Sequence, residues 1–553
     1  MNGLLILLIS ALVLAGGYWL YGRCVERSWG VDPTAAPPAI RLRDRWDFVA
    51  TRSWVLLSHE CVTACTVLVV FGPILAARYG WLPALLWILL GGVLIGGVQE
   101  FCVLYVSVKS RGMTLDGLLG KFAGVRWKKV FLVFAWLLCV LAVAVFADVA
   151  ARTLDGFVTV DEPDPVRGRA GTVVLMLYAF ALLVGLTARY SRITGWGTRA
   201  ITVTILICSS MLGMLFPASL RPSLWHIIIL GFALLSASGP VWLTLHPRTH
   251  LHTTLYALLL LLLLAGLVYG HRDMVLPAFT SFSVEGETLY PWLFVLLTTG
   301  AVSGLQAVTT SNVIARQLGS EGRMRRVAFG GVMLVCFAAV LVLVCVGTQS
   351  AASSGEPSAL FLSAAAGVLS GFGISAEISA SLYVLLIAGL CIGSLESLAR
   401  AARVCWEEFF DYGDEEPTRV QVLLSNGWIG GGVTLLAALG ICRVGYSAVW
   451  PLFGGAVQAL SALALLICAV WLRRNGRAGG WVWPPMIFML LVSMTAQISG
   501  LVENIMSVAG GSAHLFADIL RIVLGLAVLV VTVLLSFQGF RSLLQPDETS
   551  EAA

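Results

Sequence analysis

The sequence predicts an all-α polytopic membrane protein of about fifteen transmembrane helices, and three observations carry that reading. Of 553 residues, 58% are hydrophobic and only 12% charged, where a soluble domain carries roughly 25% charged residues. Mean hydropathy is +0.91. Apolar runs of roughly 20 residues, the length that crosses a bilayer, recur from one end of the chain to the other. The net charge of +5 is modest and spread over the loops between these runs. Such charge sets orientation and points to no nucleic-acid partner. The twelve cysteines sit mostly inside apolar stretches, as at Cys61, Cys65, Cys139 and Cys345, and read as small buried apolar residues.

The first run, Met1 to Tyr21, ends in Tyr18-Trp19-Leu20-Tyr21, aromatics suited to a membrane interface. It lacks a basic n-region and an Ala-x-Ala cleavage site, so it reads as a span and not as a signal peptide. Spans follow at about 54–78, 81–107, 130–150, 171–188, 200–217, 225–245, 253–270, 291–311, 327–349, 378–398, 421–442, 446–472, 481–500 and 514–538. No soluble domain interrupts them. A transmembrane domain over 1–541 is expected, with a short polar tail over 542–553. Basic loops alternate with neutral or acidic ones. Arg41, Arg43 and Arg52, then Arg316, Arg323 and Arg325, then Arg473 and Arg474 fall on one side. The acidic loop at Asp161 and Glu162 falls on the other. The positive-inside rule then puts the N-terminus outside and the C-terminus in the cytoplasm of a bacterial-type inner membrane.

Ionisable and helix-breaking residues inside lipid are functional candidates. His59 and Glu60 adjoin each other early in the second span, and Gly72-Pro73 follows as an expected break. Thr63 stands where a His-Glu-x-x-His motif would need its second histidine, so no metal or cofactor is expected. Glu100 ends a glycine-rich span. Pro240, with Trp242 after it, opens a helix or merely kinks it. Thr299, Gly300, Ser303, Gly304 and Gln306 form a polar stretch, read either as an interrupted helix on a substrate path or as small-residue packing. Glu396 and Arg400 stand four apart on one helix face, the spacing of a paired carboxylate. No Walker A sequence is present, so ATP drive is not expected.

Several segments stand along the chain in a set order: Tyr18-Trp19-Leu20-Tyr21-Gly22-Arg23, Trp54-Val55-Leu56-Leu57-Ser58-His59, Gly72-Pro73-Ile74-Leu75-Ala76, Trp81-Leu82-Pro83, Pro240-Val241-Trp242 with His246-Pro247-Arg248, Gly300-Ala301-Val302-Ser303-Gly304, and Trp450-Pro451-Leu452-Phe453-Gly454 with Gln458. In residues and order they resemble the carbon starvation protein A (CstA) family of peptide and pyruvate transporters. Departures accompany the resemblance. Glu60 replaces a second histidine, Glu100 an aspartate, Gln306 a histidine, Leu395-Glu396-Ser397 a Leu-Asp-Thr, and Val457 an asparagine. Cys65-Thr66-Val67 replaces a Gly-Ala-Gly-Pro element, which reads as loss of a helix break.

The resemblance implies a LeuT-like core of the amino acid–polyamine–cation (APC) superfamily, with two inverted five-helix repeats, broken helices at the centre and extra helices around it. It implies an ion-coupled secondary transporter, not an enzyme, importing a small carboxylate such as pyruvate or short peptides with H+ or Na+. A transport-impaired relative serving as a sensor or assembly partner is the alternative, motivated by the changed polar positions. The expected partners are a small-molecule substrate and the lipid bilayer, and a homo-oligomer stays open. The orientation is checked by accessibility labelling of single cysteines. A cysteine at Asp161 should react from outside and one at Arg325 from the cytoplasm, and reaction of both from one face would overturn the assigned topology.

Overall fold

The computed structural model describes residues 1–544 apart from 45, 160–161, 191–195, 285, 350–354, 412–417, 444 and 512–514, with side chains undescribed at 187–190, 196, 198–199, 298–301, 447–449, 451 and 516–517. Lipid offers the backbone no hydrogen bonds, so apolar runs of this length close their own ladders as helices. Among the described residues, ten helices are long and apolar enough to cross a membrane, or eleven if the bent pair Ser53–Ala64 and Leu68–Tyr79 is one span. The expected spans at 200–217, 225–245 and 421–442 are represented by shorter apolar helices, Ala200–Leu215, Pro222–Ser238 and Gly427–Cys442. Length and composition therefore do not establish the count of fifteen. The 34-residue helix Ala376–Phe409 and the 29-residue helix Val125–Thr153 pack along each other and form the centre.

Two interrupted spans meet beside that centre. The first breaks at Cys65-Thr66-Val67 with a bend of 48°. Thr66 Oγ1 accepts from the Leu68 N–H at 3.2 Å and so starts the second half-helix. The break therefore persists where the sequence reading expected its loss, and Gly72-Pro73 lies inside the helix Leu68–Ala76. Gly72 serves packing: a Cβ there would stand 2.7 Å from the Leu296 carbonyl of the second interrupted span. That span breaks at Val302-Ser303, between helices Leu289–Ala301 and Gly304–Thr309, with Ser303 extended (φ −117°, ψ 127°). Gly304 lets this break sit on the helix Tyr446–Arg474, since its Cβ would stand 2.4 Å from the Ser461 nitrogen. A third interruption spans 239–244, between Pro222–Ser238 and Leu245–Gly270.

Ion pairs fix these pieces, and one expectation is corrected. Glu396 does not pair with Arg400. It pairs with Arg248 of the neighbouring helix. Arg400 instead binds Asp47 at 2.8 Å and donates to the carbonyls of Ser236 and Gly239. Two carbonyls at the open end of a helix, where the dipole is negative, together with the Asp47 carboxylate outcompete one carboxylate a turn away. Arg403 holds Asp47 from the other side at 3.1 Å.

Burial pulls the Asp47 carboxyl upward, but Arg403, Arg400 and Arg316 outweigh it and hold it below its ordinary value of 3.8. Such a group contributes stability that is in place above its unfolded value and lost as pH falls through its folded value. Asp47→Asn should therefore lower stability at neutral pH by roughly 1–3 kcal/mol, since it strands two guanidiniums. In thermal unfolding of the detergent-solubilised protein, its gap to wild type should close as pH is taken below 3.8. A gap unchanged by acid would show that the charge of Asp47 is not what holds the loop.

Candidate functional site

The two central breaks converge on a buried polar centre. Gln99, fully buried in the helix Gly97–Lys109, supports the second break directly: its Nε2 donates to the Ser303 carbonyl at 2.9 Å. The same amide reaches Glu100 Oε1 at 3.0 Å, and its Oε1 accepts from the Ser461 hydroxyl. Thr310 donates to Glu100 Oε2 at 2.6 Å, from a single π-helical turn over Thr310–Ile314, a distortion frequent at functional sites. Gln306 Nε2 donates to Thr63 Oγ1 at 3.0 Å, joining the second interrupted span to the first.

Glu60 completes this centre. It is 0% exposed, and its carboxyl faces Glu100, Gln306 and Thr310. By hydrogen-bond geometry neither of its oxygens has a partner among the described residues. Its Cγ packs on Gly331, where a Cβ would stand 2.4 Å away. Glu60 and Glu100 thus form a buried carboxylate pair whose neighbours are neutral hydroxyls and amides. His59 belongs elsewhere. Successive helix residues point about 100° apart, so His59 turns toward Arg248, Arg400 and His246. His59 and Glu60, adjacent in sequence, therefore face different clusters.

Between the breaks lies a pocket lined by Thr63, Thr66, Leu68, Ser303, Gln306 and Phe453, with room of about 10 Å³. That is about one water at the limit, so this conformation is closed at the centre. Beside it lies a cavity of about 440 Å³, lined among others by Gly72, Arg78, Glu287, Trp292, Trp450 and Gln497. Leu68 and Phe453 line both spaces. The wider cavity carries charge at Arg78, paired with Glu287, and at Asp518, paired with Arg521 at 2.9 Å.

The remaining expected residues distribute as follows. Gln458 is buried and donates to the Phe294 carbonyl at 3.0 Å, tying the helix Tyr446–Arg474 to Leu289–Ala301. Thr299 and Gly300 lie outside the residues whose side chains are described. Pro240 and Trp242 are half-buried in the third interruption, the end that Arg400 caps, and Pro73 is buried in the helix Leu68–Ala76. Thr63 and Ser461, central here, carried no sequence signal beyond a hydroxyl in an apolar run. Arg248, which the sequence places only within the motif His246-Pro247-Arg248, is 3% exposed.

The sequence profile described as "Carbon starvation protein CstA" matches residues 2–354 and 345–496. The chain is 27% identical over 592 aligned residues to a protein named peptide transporter CstA of Escherichia coli, covering 90% of this chain and 80% of that one. It is 26% identical to the peptide transporter CstA of Helicobacter pylori, covering 89% and 81%. It is 29% identical to the pyruvate/proton symporter BtsT of Escherichia coli, over 65% of this chain and 50% of that protein. Among solved structures, the Eremococcus coleocola manganese transporter shares the fold at a TM-score of 0.50 and 13% identity, covering 91% of this chain and 99% of that one. A family match over most of its length, carried by relatives named as transporters, places this multi-pass membrane protein in the carbon starvation protein CstA family.

Proposed function

We propose that the protein is an ion-coupled secondary transporter that imports a small carboxylate or short peptides, and that Glu60 with Glu100 binds the coupling ion. The observation that carries the reading is this pair, fully buried where two interrupted spans meet. Two carboxylates at close quarters in low dielectric are not both ionised without a cation. A shared proton satisfies them. Sodium would need several oxygens, and Thr63, Thr310 and the Ser303 carbonyl lie within the same network.

Occupancy of the pair reaches the moving parts through named bonds. Thr310 binds Glu100 and follows directly on the second interrupted span. Gln99 binds both Glu100 and the broken backbone at Ser303. A proton entering or leaving the pair therefore changes the acceptors that hold the break. In this reading the wider cavity is the approach from outside, and Leu68 with Phe453 closes it from the substrate chamber. The names of the relatives, peptide transporter and pyruvate/proton symporter, support both the substrate classes and the proton.

Uptake of labelled pyruvate and dialanine into proteoliposomes, with an imposed proton or sodium gradient, tests the coupling site. Glu60→Gln keeps the shape and removes the charge. It should equilibrate substrate without concentrating it. Concentration against a gradient with an unchanged pH profile would remove Glu60 from the coupling role. The seal is tested separately with Thr66→Cys as a probe. An impermeant maleimide should leave this cysteine unmodified in the otherwise native chain and label it once Phe453→Ala is added, as read by peptide mass. Equal labelling in both backgrounds would show that Phe453 does not close the chamber.

A further inference from the structure

Arg248 is the hub of a second buried polar cluster, which the carboxylate pair does not use. It stands in the first turn of the helix Leu245–Gly270 and is 3% exposed. Its guanidinium forms an ion pair with Glu396 and donates from Nη2 to the Ile392 carbonyl at 2.9 Å. It also lies against the rings of Phe232 and Tyr178, at 5.8 and 5.9 Å. His59, His252, Tyr256 and Tyr178 all face it.

Among the described residues these neighbours lack partners: both ring nitrogens of His59, Nδ1 of His252 and the hydroxyls of Tyr256 and Tyr178 have no hydrogen bond there. An orphaned buried group costs about 1–3 kcal/mol, and folded proteins hold few. Five such atoms around one guanidinium mark a place where something other than protein supplies the partners. The facing helix approaches this cluster closely at a glycine. A Cβ on Gly393 would stand 2.8 Å from the Tyr256 hydroxyl and 3.6 Å from His252 Nδ1. It would also meet Val62, the residue before Thr63 of the central chamber, at 2.7 Å.

A cation ringed by hydroxyls and imidazoles suits a small anion with several acceptor lone pairs. Arg248 already holds one such group, the carboxylate of Glu396. We propose that Arg248, Tyr256 and His252 form a carboxylate-binding subsite, in which the substrate's carboxylate takes the place on Arg248 that Glu396 holds in this closed conformation. The inference rests on the transport reading above and deepens it, because pyruvate and peptides share a carboxylate. Glu396, left without its cation in low dielectric, takes up one proton from water as the carboxylate binds and releases it when it returns to Arg248. The titratable groups facing the exchange are His59, His252, Tyr178 and Tyr256. Arg400, on the same helix, is held by Asp47.

The test follows thermal unfolding of the full chain in lipid nanodiscs with pyruvate, acetate and dialanine, and with acetamide as the neutral control. Ligand that binds only the folded protein raises the unfolding midpoint. The carboxylates should raise it and acetamide should not, and the shift should grow as pH falls. Glu396→Gln should keep the shift and lose its pH dependence. Arg248→Gln should abolish it. In case that variant does not fold, Tyr256→Phe keeps the ring, and it should weaken the apparent affinity about tenfold, the worth of one lost hydrogen bond to a charged group. No shift with any carboxylate, an equal shift with acetamide, or equal shifts in wild type, Arg248→Gln and Tyr256→Phe would each overturn the subsite. A wild type stabilised by carboxylates that carries none across proteoliposomes would keep the subsite and sink the transport reading.

Discussion

A helix inside a bilayer can be interrupted only where its freed N–H and C=O groups find partners other than lipid, and the arrangement of this chain depends on that constraint. The interruptions at Cys65-Thr66-Val67 and Val302-Ser303 are placed together at the centre, where the protein supplies those partners. Thr66 starts one half-helix and Gln99 takes the exposed Ser303 carbonyl. Gln306 and Thr63 join the two spans side chain to side chain. The glycines Gly72 and Gly304 sit where another backbone approaches too closely for a Cβ. The breaks are thus stable as a set, and a change in the hydrogen bonds of one is felt by the other.

Charge follows a second rule, that a buried ion persists in company. Arg248, Arg400 and Arg403 are nearly sealed from solvent, and each has a carboxylate from a different segment: Glu396 for Arg248, Asp47 for the other two. Buried pairs of this kind add little net stability, because desolvation offsets attraction, while loss of one partner is costly. Their effect is to fix which segments meet. Asp47 ties the loop before the first interrupted span to the long central helix, and Arg400 passes that hold on to the end of the helix Pro222–Ser238. Glu60 and Glu100 are the contrast, since acid there meets neutral donors. The protein thus holds one buried acidic pair among neutral groups and one buried guanidinium paired with a carboxylate.

The two features lie on neighbouring faces of one half-helix. Glu60 points to the helix Gly97–Lys109 and to Gln306, while His59 points to Arg248. Ser53–Ala64 therefore faces the acidic pair on one side and the Arg248 cluster on the other, with Thr63 in the wall of the small pocket between the breaks. A small rotation of this half-helix about the Cys65–Val67 break would alter both environments together, which is the geometric requirement for coupling two bound species.

The sequence by itself determined the membrane class, the family, and most of the residue types at the centre, because apolar length and buried ionisable groups are local properties of the chain. Glu60, Glu100, Ser303 and Gln306 were all legible as polar groups in apolar runs. Partnership was not. Helical spacing placed Arg400 beside Glu396, yet the helix end at Ser236 and Gly239 and the carboxylate of Asp47 offered Arg400 more acceptors. The position of the first break was misjudged for a related reason. Gly72-Pro73 has the residues that break helices, and Cys65-Thr66-Val67 does not, but Pro73 is accommodated inside the half-helix Leu68–Ala76 and Gly72 is what close packing requires. Where a helix opens inside a membrane is decided by which neighbours can satisfy its backbone, and those neighbours, Gln99 among them, come from distant parts of the chain. Only the tertiary structure brings them together.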